Sequence, residues 1–438
     1  MSTAGTAVRF ARELRDICGA GHVVEDAARL EGARIFGVIP ALAVEPASSE
    51  EIAAILRFAN EHGLNVVPTG GFTWQQTGSA PESVDVLLYT SRLAEVEHYD
   101  PGDLTVGVGA GCTVAQLASM VRRDGLLYAA DPQLPERTTV GGLLATGVTG
   151  PLRHAYGGLR DYCIGIRFVT GDGRRGKGGG RVVKNVAGYD MMKLLIGSWG
   201  TLAIITGASF KLFPAPRQTK TFIAGFATSA EAISYRNLVL RSPLSPICLE
   251  LVSPEAAAAL SGSNAAGAWS LHVRATGSDA VLARYRSELG SAISQELEGT
   301  AEDERWRAVA DFPHTVSQQH PDCLLVALWL ALADVQPVLE DLQSVAAGNQ
   351  LAVAAVGRVG VGHLLAALWP ASPRAELVAA ASALCERLPA DSSMAVLRRP
   401  GDAARACVRR TPTDVDSMRA VKQALDPKDI LNRGRFSL

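Results

Sequence analysis

No two cysteines in this 438-residue chain stand at C-x-x-C spacing. The seven present, Cys18, Cys112, Cys163, Cys248, Cys323, Cys385 and Cys407, are scattered and odd in number. That excludes the usual iron–sulfur and structural-zinc spacings within the chain, so no metal site is expected here. It also argues against a secreted disulfide scaffold, which makes a reducing compartment the expectation. A long apolar run is missing too. The most apolar stretch, CLLVALWLALADV at 323–335, is broken by Asp334 and is too short to cross a bilayer. The opening MSTAGTAVRFARELRDICGAG lacks the apolar segment of a secretory signal. These absences point to a cytoplasmic protein whose membrane association, if any, is peripheral at the inner face and borrowed from a partner. A charge excess is also absent: the net charge is −2, which offers nucleic acid no electrostatic footprint. The basic pairs Arg174-Arg175 and Arg398-Arg399 read as solvated turns.

What is present is an ordinary globular composition, 47% apolar and 20% charged, over a length that suits two domains. In PASSEEIAAILRFANEHGLNVVPTGG (46–71), Ser48 and Glu51 have capping-box spacing. Ile52, Ile55, Leu56 and Ala59 then make one helix face, which Gly63 closes. A strand at 64–67 runs into Pro68-Thr69-Gly70-Gly71. The pattern recurs with a strand at 104–109, a capping box at Thr113 and Gln116, and a helix ending at Gly125. Residues 162–170 alternate, with Tyr162, Ile164, Ile166 and Phe168 on one side, and 201–213 reads as a further strand. Residues 217–400 mix strands with alanine-rich helices, which suggests an antiparallel sheet with helices on one face. Residues 401–438 return to a charged amphipathic helix and a tail. The domains are therefore read as 1–216, 217–400 and the returning segment 401–438.

Nucleotide motifs of the common kinds fail. GVGAGC (107–112) has Cys112 where a dinucleotide fingerprint needs its third glycine, and there is no G-x-x-x-x-G-K-[ST]. Two neutral glycine loops remain, PTGGFTWQQTG (68–78) and TTVGGLLATGVTG (138–150). Each follows a strand pattern and can present consecutive amides to phosphate oxygens. Thr69, Thr73, Thr138, Thr139 and Thr146 add hydroxyls. Either loop alone reads more readily as an ordinary tight turn; together, with the region that follows, they suit a pyrophosphate-bearing cofactor.

These loops, with GPLRHAYGGLRDYCIGIRFVTG, KNVAGYD and the tail LDPKDILNRGRF, resemble the vanillyl-alcohol oxidase/p-cresol methylhydroxylase type of FAD-binding domain. Within it they look most like the FAD-binding E subunits of bacterial glycolate oxidases. The resemblance implies an α+β fold: a two-subdomain FAD-binding domain, then a second domain whose antiparallel sheet is covered by helices. It implies that Pro68, Thr69, Gly70, Gly71, Phe72 and Thr73 wrap the FAD pyrophosphate. Thr138, Thr139, Gly141, Gly142 and Thr146 would line the flavin side, Gly158 and Asp161 the cofactor's middle, and Ile204 the adenine end. Phe72 and Trp74 stand where some members carry a histidine or cysteine bound to the flavin, so noncovalent FAD is implied.

The stretch GGGRVVKNVAGYD (178–190) crowds polar groups into an apolar setting, and buried polar groups need partners or ligands. Lys184, Asn185 and Tyr189 are candidates for contacting an anionic substrate or flavin, while Asp190 reads as a helix cap. Oxidising a 2-hydroxyacid requires a base and a carboxylate anchor. The H-x-G-D-G-N-x-H motif that catalytic members of the family often carry is absent. Its nearest analogue, VGRVGVGHLLAALW (356–369), offers Arg358 and His363; His154 and Tyr156 are further candidates. The resemblance therefore implies a flavin subunit that works with a second FAD-binding subunit and an iron–sulfur subunit, passing electrons from a small 2-hydroxyacid toward a quinone. The alternatives are a stand-alone FAD-dependent D-lactate-type dehydrogenase and a structural flavin-binding subunit without turnover.

Overall fold

The computed structural model describes residues 10–180, 189–261, 268–372, 376–399 and 414–435. They fall into two compact units. The first takes the chain up to Val148, Gly158–Ala215 and the C-terminal helix and tail. The second takes Thr149–Gly157 and the described chain from Pro216 to Arg399.

In the first unit, β1 (Val23–Val24), β2 (Leu42–Val44), β3 (Val66–Thr69) and β4 (Val86–Tyr89) form a sheet of order β1-β2-β4-β3. β2 and β3 run parallel to β4. The helix Ser49–His62 buries its Ile52, Ile55, Leu56 and Ala59 in the same core as β2, β3 and β4. Its start is well capped: the Glu51 amide donates to Ser48 Oγ at 3.1 Å, and the Glu51 carboxylate accepts from the Ala47 amide at 2.8 Å.

A second, antiparallel sheet is built from β5 (Val96–Asp100), β6 (Thr105–Gly109), β8 (Cys163–Thr170), β9 (Arg175–Gly179) and β10 (Ala203–Lys211), in the order β5-β6-β10-β8-β9. A short pair, β7 (Leu126–Leu127) with β11 (Phe213–Pro214), stands apart. The alternation at 162–170 suggests a strand with one face inward, but β8 is covered on both. Ile166 and Phe168 pack in the core of this sheet, while Val169 packs with the helix Ser49–His62. Lying between β10 and β9 leaves β8 no solvent edge either.

The second unit is one eight-stranded antiparallel sheet. Its strands are β12 (Thr219–Phe226), β13 (Cys248–Val252), β14 (Trp269–Thr276), β15 (Ile293–Leu297), β16 (Leu324–Trp329), β17 (Leu351–Arg358), β18 (His363–Pro370) and β19 (Ser393–Arg398). Their order is β15-β12-β14-β13-β17-β18-β16-β19. One face is apolar: Leu249, Leu251, Leu271, Val273, Val326, Leu328, Leu364 and Ala366 share a core with the helices Ser229–Arg241, Asp279–Leu289, Val335–Gly348 and Leu377–Arg387. Helices on one face only is what the sequence suggests, yet the helix Gly299–Gln319 meets the opposite face. Its Trp306 Nε1 donates to Thr221 Oγ1 at 2.7 Å, and its buried Glu302 accepts from Thr219, Thr221 and Arg274. No helix among the described residues is long and apolar enough to cross a membrane.

Candidate functional site

The first unit holds a cleft of about 720 Å³. Its walls come from four stretches far apart in sequence: the first glycine loop (Pro68 to Gln75), the helix Val140–Thr146 with the Thr139 that caps it, the run Trp199 to Ile205, and Asn432 and Arg435 of the tail. Of the residues expected at a cofactor, Pro68, Thr69, Gly70, Gly71, Phe72, Thr73, Thr139, Gly141, Gly142, Thr146 and Ile204 line it. Thr138, Gly158 and Asp161 do not. Thr138 Oγ1 donates to Gln133 O at 2.7 Å, and Asp161 accepts from the Gly158 amide at 2.7 Å, capping its own short helix. Sequence reading missed Thr90, Trp199, Gly200, Asn432 and Arg435.

The two glycine loops use their backbones differently. In the second, the amides of Val140 and Gly141 donate to Cys112 O and Ala110 O, both at 2.8 Å, and the Gly142 amide donates to Thr139 Oγ1 at 3.2 Å. Those amides are consumed in holding the helix to the end of β6. In the first loop, the amides of Gly71, Phe72, Thr73 and Trp74 meet no acceptor among the described residues. Phe72 sits at φ 63°, a left-handed conformation that costs about 1 kcal/mol or more for a side-chain-bearing residue. Trp199 (φ 55°) and Asn432 (φ 50°) share that strain, and both also line the cleft.

The glycines of the first loop are small for a reason the sequence hid. A Cβ on Gly71 would fall on the Arg137 carbonyl, and one on Gly70 would fall on the Thr139 side chain. Close packing against Arg137 and Thr139 excludes a side chain there.

The cleft suits a large, anionic, partly aromatic ligand. Thr69 Oγ1, Trp74 Nε1 and Asn432 Oδ1 are buried with no partner among the described residues, a costly arrangement unless a ligand or water completes it. Arg435 brings the one formal charge among the lining residues. It is 3% exposed, bonds to Gln75 and Thr77, and burial pulls its pKa down to about 10. No histidine, cysteine or tyrosine lines the cleft among the described residues.

The tail reaches the cleft because it docks as an extra strand. The Val66 amide donates to Ile430 O at 2.8 Å and the Asn432 amide to Val66 O at 3.0 Å. Buried Asp426 accepts from the Ile430 and Leu431 amides and from Lys422 Nζ, fixing the turn that leads there. Ile430 and Leu431 complete the core behind β3.

The second unit has its own concentration of buried polar groups. The register places His272, Glu250, Arg358, His363 and Trp329 opposite one another in a row across β14, β13, β17, β18 and β16. They lie on the face away from the apolar core. His272, Glu250, Arg358 and His363 are all at most 5% exposed. Arg358 Nη1 stands 2.8 Å from His363 Nδ1, and Arg358 Nε is 3.7 Å from the Glu250 carboxylate. A guanidinium only donates, so Nδ1 accepts and the ring carries its proton on Nε2. Burial, then the charges of Arg358 and Arg153, hold the His363 pKa far below its ordinary value. With the Nδ1 lone pair taken by Arg358, His363 presents an Nε2–H donor. His272 is pulled down to about 3 by burial and by Arg305, and burial lowers His154 as well.

The structure thus joins Arg358 to His363. Tyr189 is 92% exposed and does not line the cleft, and Lys184 and Asn185 lie outside the described residues.

A run of amides without acceptors among the described residues, beside a buried arginine, suits an anionic cofactor in this cleft. The comparisons specify which. Residues 40–177 match the FAD binding domain family, and residues 405–436 match the C-terminal domain of FAD linked oxidases. The chain therefore contains an FAD-binding domain, and FAD is its cofactor. The fold is that of p-cresol methylhydroxylase, whose substrate-bound crystal structure superposes with a TM-score of 0.76 over 98% of this chain and 96% of that one, at 16% identity. Among curated relatives, a D-lactate dehydrogenase of Archaeoglobus fulgidus is 38% identical over 213 residues, 49% of this chain and 47% of that protein. Glycolate oxidase subunit GlcD of Bacillus subtilis is 24% identical over 91% of this chain and 89% of its own length. Glycolate oxidase subunit GlcE of Escherichia coli is 37% identical over 28% of this chain and 35% of that protein. The aligned part thus spans about half or less of the first and third relatives.

Proposed function

We propose that this chain is an FAD-dependent oxidoreductase acting on the CH–OH group of a small 2-hydroxyacid, as a flavin subunit of a glycolate oxidase-type complex. The observation that carries the reading is the cleft: unclaimed amides at Gly71 to Trp74 beside a buried arginine, inside a match to the FAD-binding domain. Bound FAD supplies a two-electron acceptor for the substrate's α-hydrogen. The substrate class follows the glycolate and D-lactate relatives. Membership of a complex, with a second FAD-binding subunit and an iron–sulfur subunit, follows the likeness to two glycolate oxidase subunits. The full-length alignment favours GlcD and the shorter, more identical one GlcE. Electrons would then pass through the iron–sulfur partner to a quinone.

Arg358 is the candidate anchor for the substrate carboxylate, with His363 Nε2–H as a second donor. Lys184, Asn185 and Tyr189 remain candidates by their residue types alone. FAD is held noncovalently, a reading supported by cleft walls without histidine, cysteine or tyrosine among the described residues.

The test is the anaerobic visible spectrum of the purified chain, before and after glycolate or D-lactate. Bands that bleach only in the assembled complex support the subunit reading. Bands that bleach in the isolated chain favour the stand-alone dehydrogenase, a reading for which the A. fulgidus likeness also speaks. A chain that takes up no FAD overturns both.

A further inference from the structure

We infer that Gln133, Arg137 and Arg435 are positioning residues for the FAD pyrophosphate, acting through the backbone of the first glycine loop; this rests on the FAD reading above. The motivating pattern has a period of two. Alternate carbonyls of the loop are each held by a side-chain donor: Gly71 O by Arg137 Nη2 at 3.2 Å, Thr73 O by Gln133 Nε2 at 3.1 Å, and Gln75 O by Arg435 Nη2 at 2.8 Å. Arg435 continues the series to Thr77 O.

In a trans peptide the carbonyl of one residue and the amide of the next point in opposite directions. No cis peptide is present among the described residues. Holding the Gly71 and Thr73 carbonyls therefore turns the Phe72 and Trp74 amides away from the clamp. Both residues line the cleft, and neither amide has an acceptor among the described residues. Arg137 itself is exposed and does not line the cleft, nor does Gln133. Their hold on the loop is from behind. Phe72, between the two clamped carbonyls, sits at a left-handed φ of 63°. Arg435 adds positive charge on the same side as the anion it would help to hold.

The experiment uses the full chain stripped of flavin, titrated with FAD and, in competition, with ADP. Arg137→Met, Gln133→Leu and Arg435→Lys are compared with the unaltered chain. Each should weaken FAD and ADP in parallel, by about five- to tenfold for one lost clamp bond. For Arg137→Met, which changes an exposed side chain, the melting temperature of the flavin-free chain and the visible spectrum of the bound flavin should not move. Arg435→Met should weaken binding more than Arg435→Lys, which keeps the charge. Unchanged affinities overturn the inference, as does a loss in Arg137→Met that comes with a lower apo melting temperature or a shifted flavin spectrum. Arg137, being exposed, supplies a variant that folds even if the buried ones do not. Failure of the unaltered chain to bind FAD or ADP would instead sink the cofactor reading itself.

Discussion

Gly70-Gly71 and Gly141-Gly142 look interchangeable as sequence, each a glycine pair within two residues of a threonine in a loop after a strand pattern. In the structure one loop keeps its amides free and the other spends them on its own scaffold. Carbonyls of Ala110 and Cys112 happen to lie within reach of the second loop, whereas the first is pinned by its carbonyls. A glycine-rich loop is therefore an anion site only when something else satisfies the opposite side of its peptides. The second unit repeats the contrast in its sheet: one face is apolar and helix-covered, the other carries the row His272–Glu250–Arg358–His363.

The sharpest way to break the loop comparison is a pair of alanines. Gly71→Ala places a Cβ on the Arg137 carbonyl, so FAD affinity should fall by about a thousandfold. In Gly142→Ala the new Cβ stands 3.2 Å from Thr139 Oγ1, and affinity should stay within about threefold. Equal losses in fluorescence titrations would show that the loops are equivalent after all.

The sheet comparison is next. Arg358→Met leaves the buried Glu250 without its guanidinium and should cost about 3 kcal/mol in urea unfolding. A change under about 0.5 kcal/mol would mean that the row is no ion pair in solution.

A smaller effect follows from the buried histidines. His272 is neutral in the fold, with its pKa depressed to about 3, and titrates near 6.5 when unfolded. Above that unfolded value it has no effect. As pH falls below it, the unfolded chain gains a proton that the fold refuses, so stability drops by about 1.4 kcal/mol per pH unit down toward the folded pKa. His272→Gln should make the pH dependence of unfolding between about pH 6 and 4 shallower by that slope; an unchanged slope would place the proton uptake elsewhere.

The mildest change is Thr139→Ala. It removes a cap from the helix Val140–Thr146 and should lower stability by about 1 kcal/mol, visible as a few degrees in melting temperature. A larger fall in FAD affinity than in stability would show that the hydroxyl meets the cofactor directly.

Much of this was legible beforehand, for local reasons. The Ser48 cap, the capping box at Thr113, the helix face Ile52/Ile55/Leu56/Ala59 and the Asp190 cap are contacts within a few residues, so spacing alone reveals them. Both glycine loops were recognisable as candidates, and eleven of the fourteen residues expected at the cofactor do line the cleft (Thr138, Gly158 and Asp161 do not). What stayed hidden is long-range. Arg435 meets Gln75 across a separation of 360 residues, and Gln133 meets Thr73 across 60. Arg358 and His363 were both candidates in the sequence, but their contact and the histidine tautomer it fixes came only from the 2.8 Å distance.

By itself, the sequence determined the elements, the glycine pairs and the chemistry available to them, since caps, periodicity and residue type act over a turn or a strand. Tertiary structure alone decided which amides remain free, which histidine nitrogen keeps its proton and which wall of the cleft carries the charge. Those outcomes depend on where a distant carbonyl or guanidinium comes to rest, and a hydrogen bond made or withheld over about 3 Å is a property of the assembled fold.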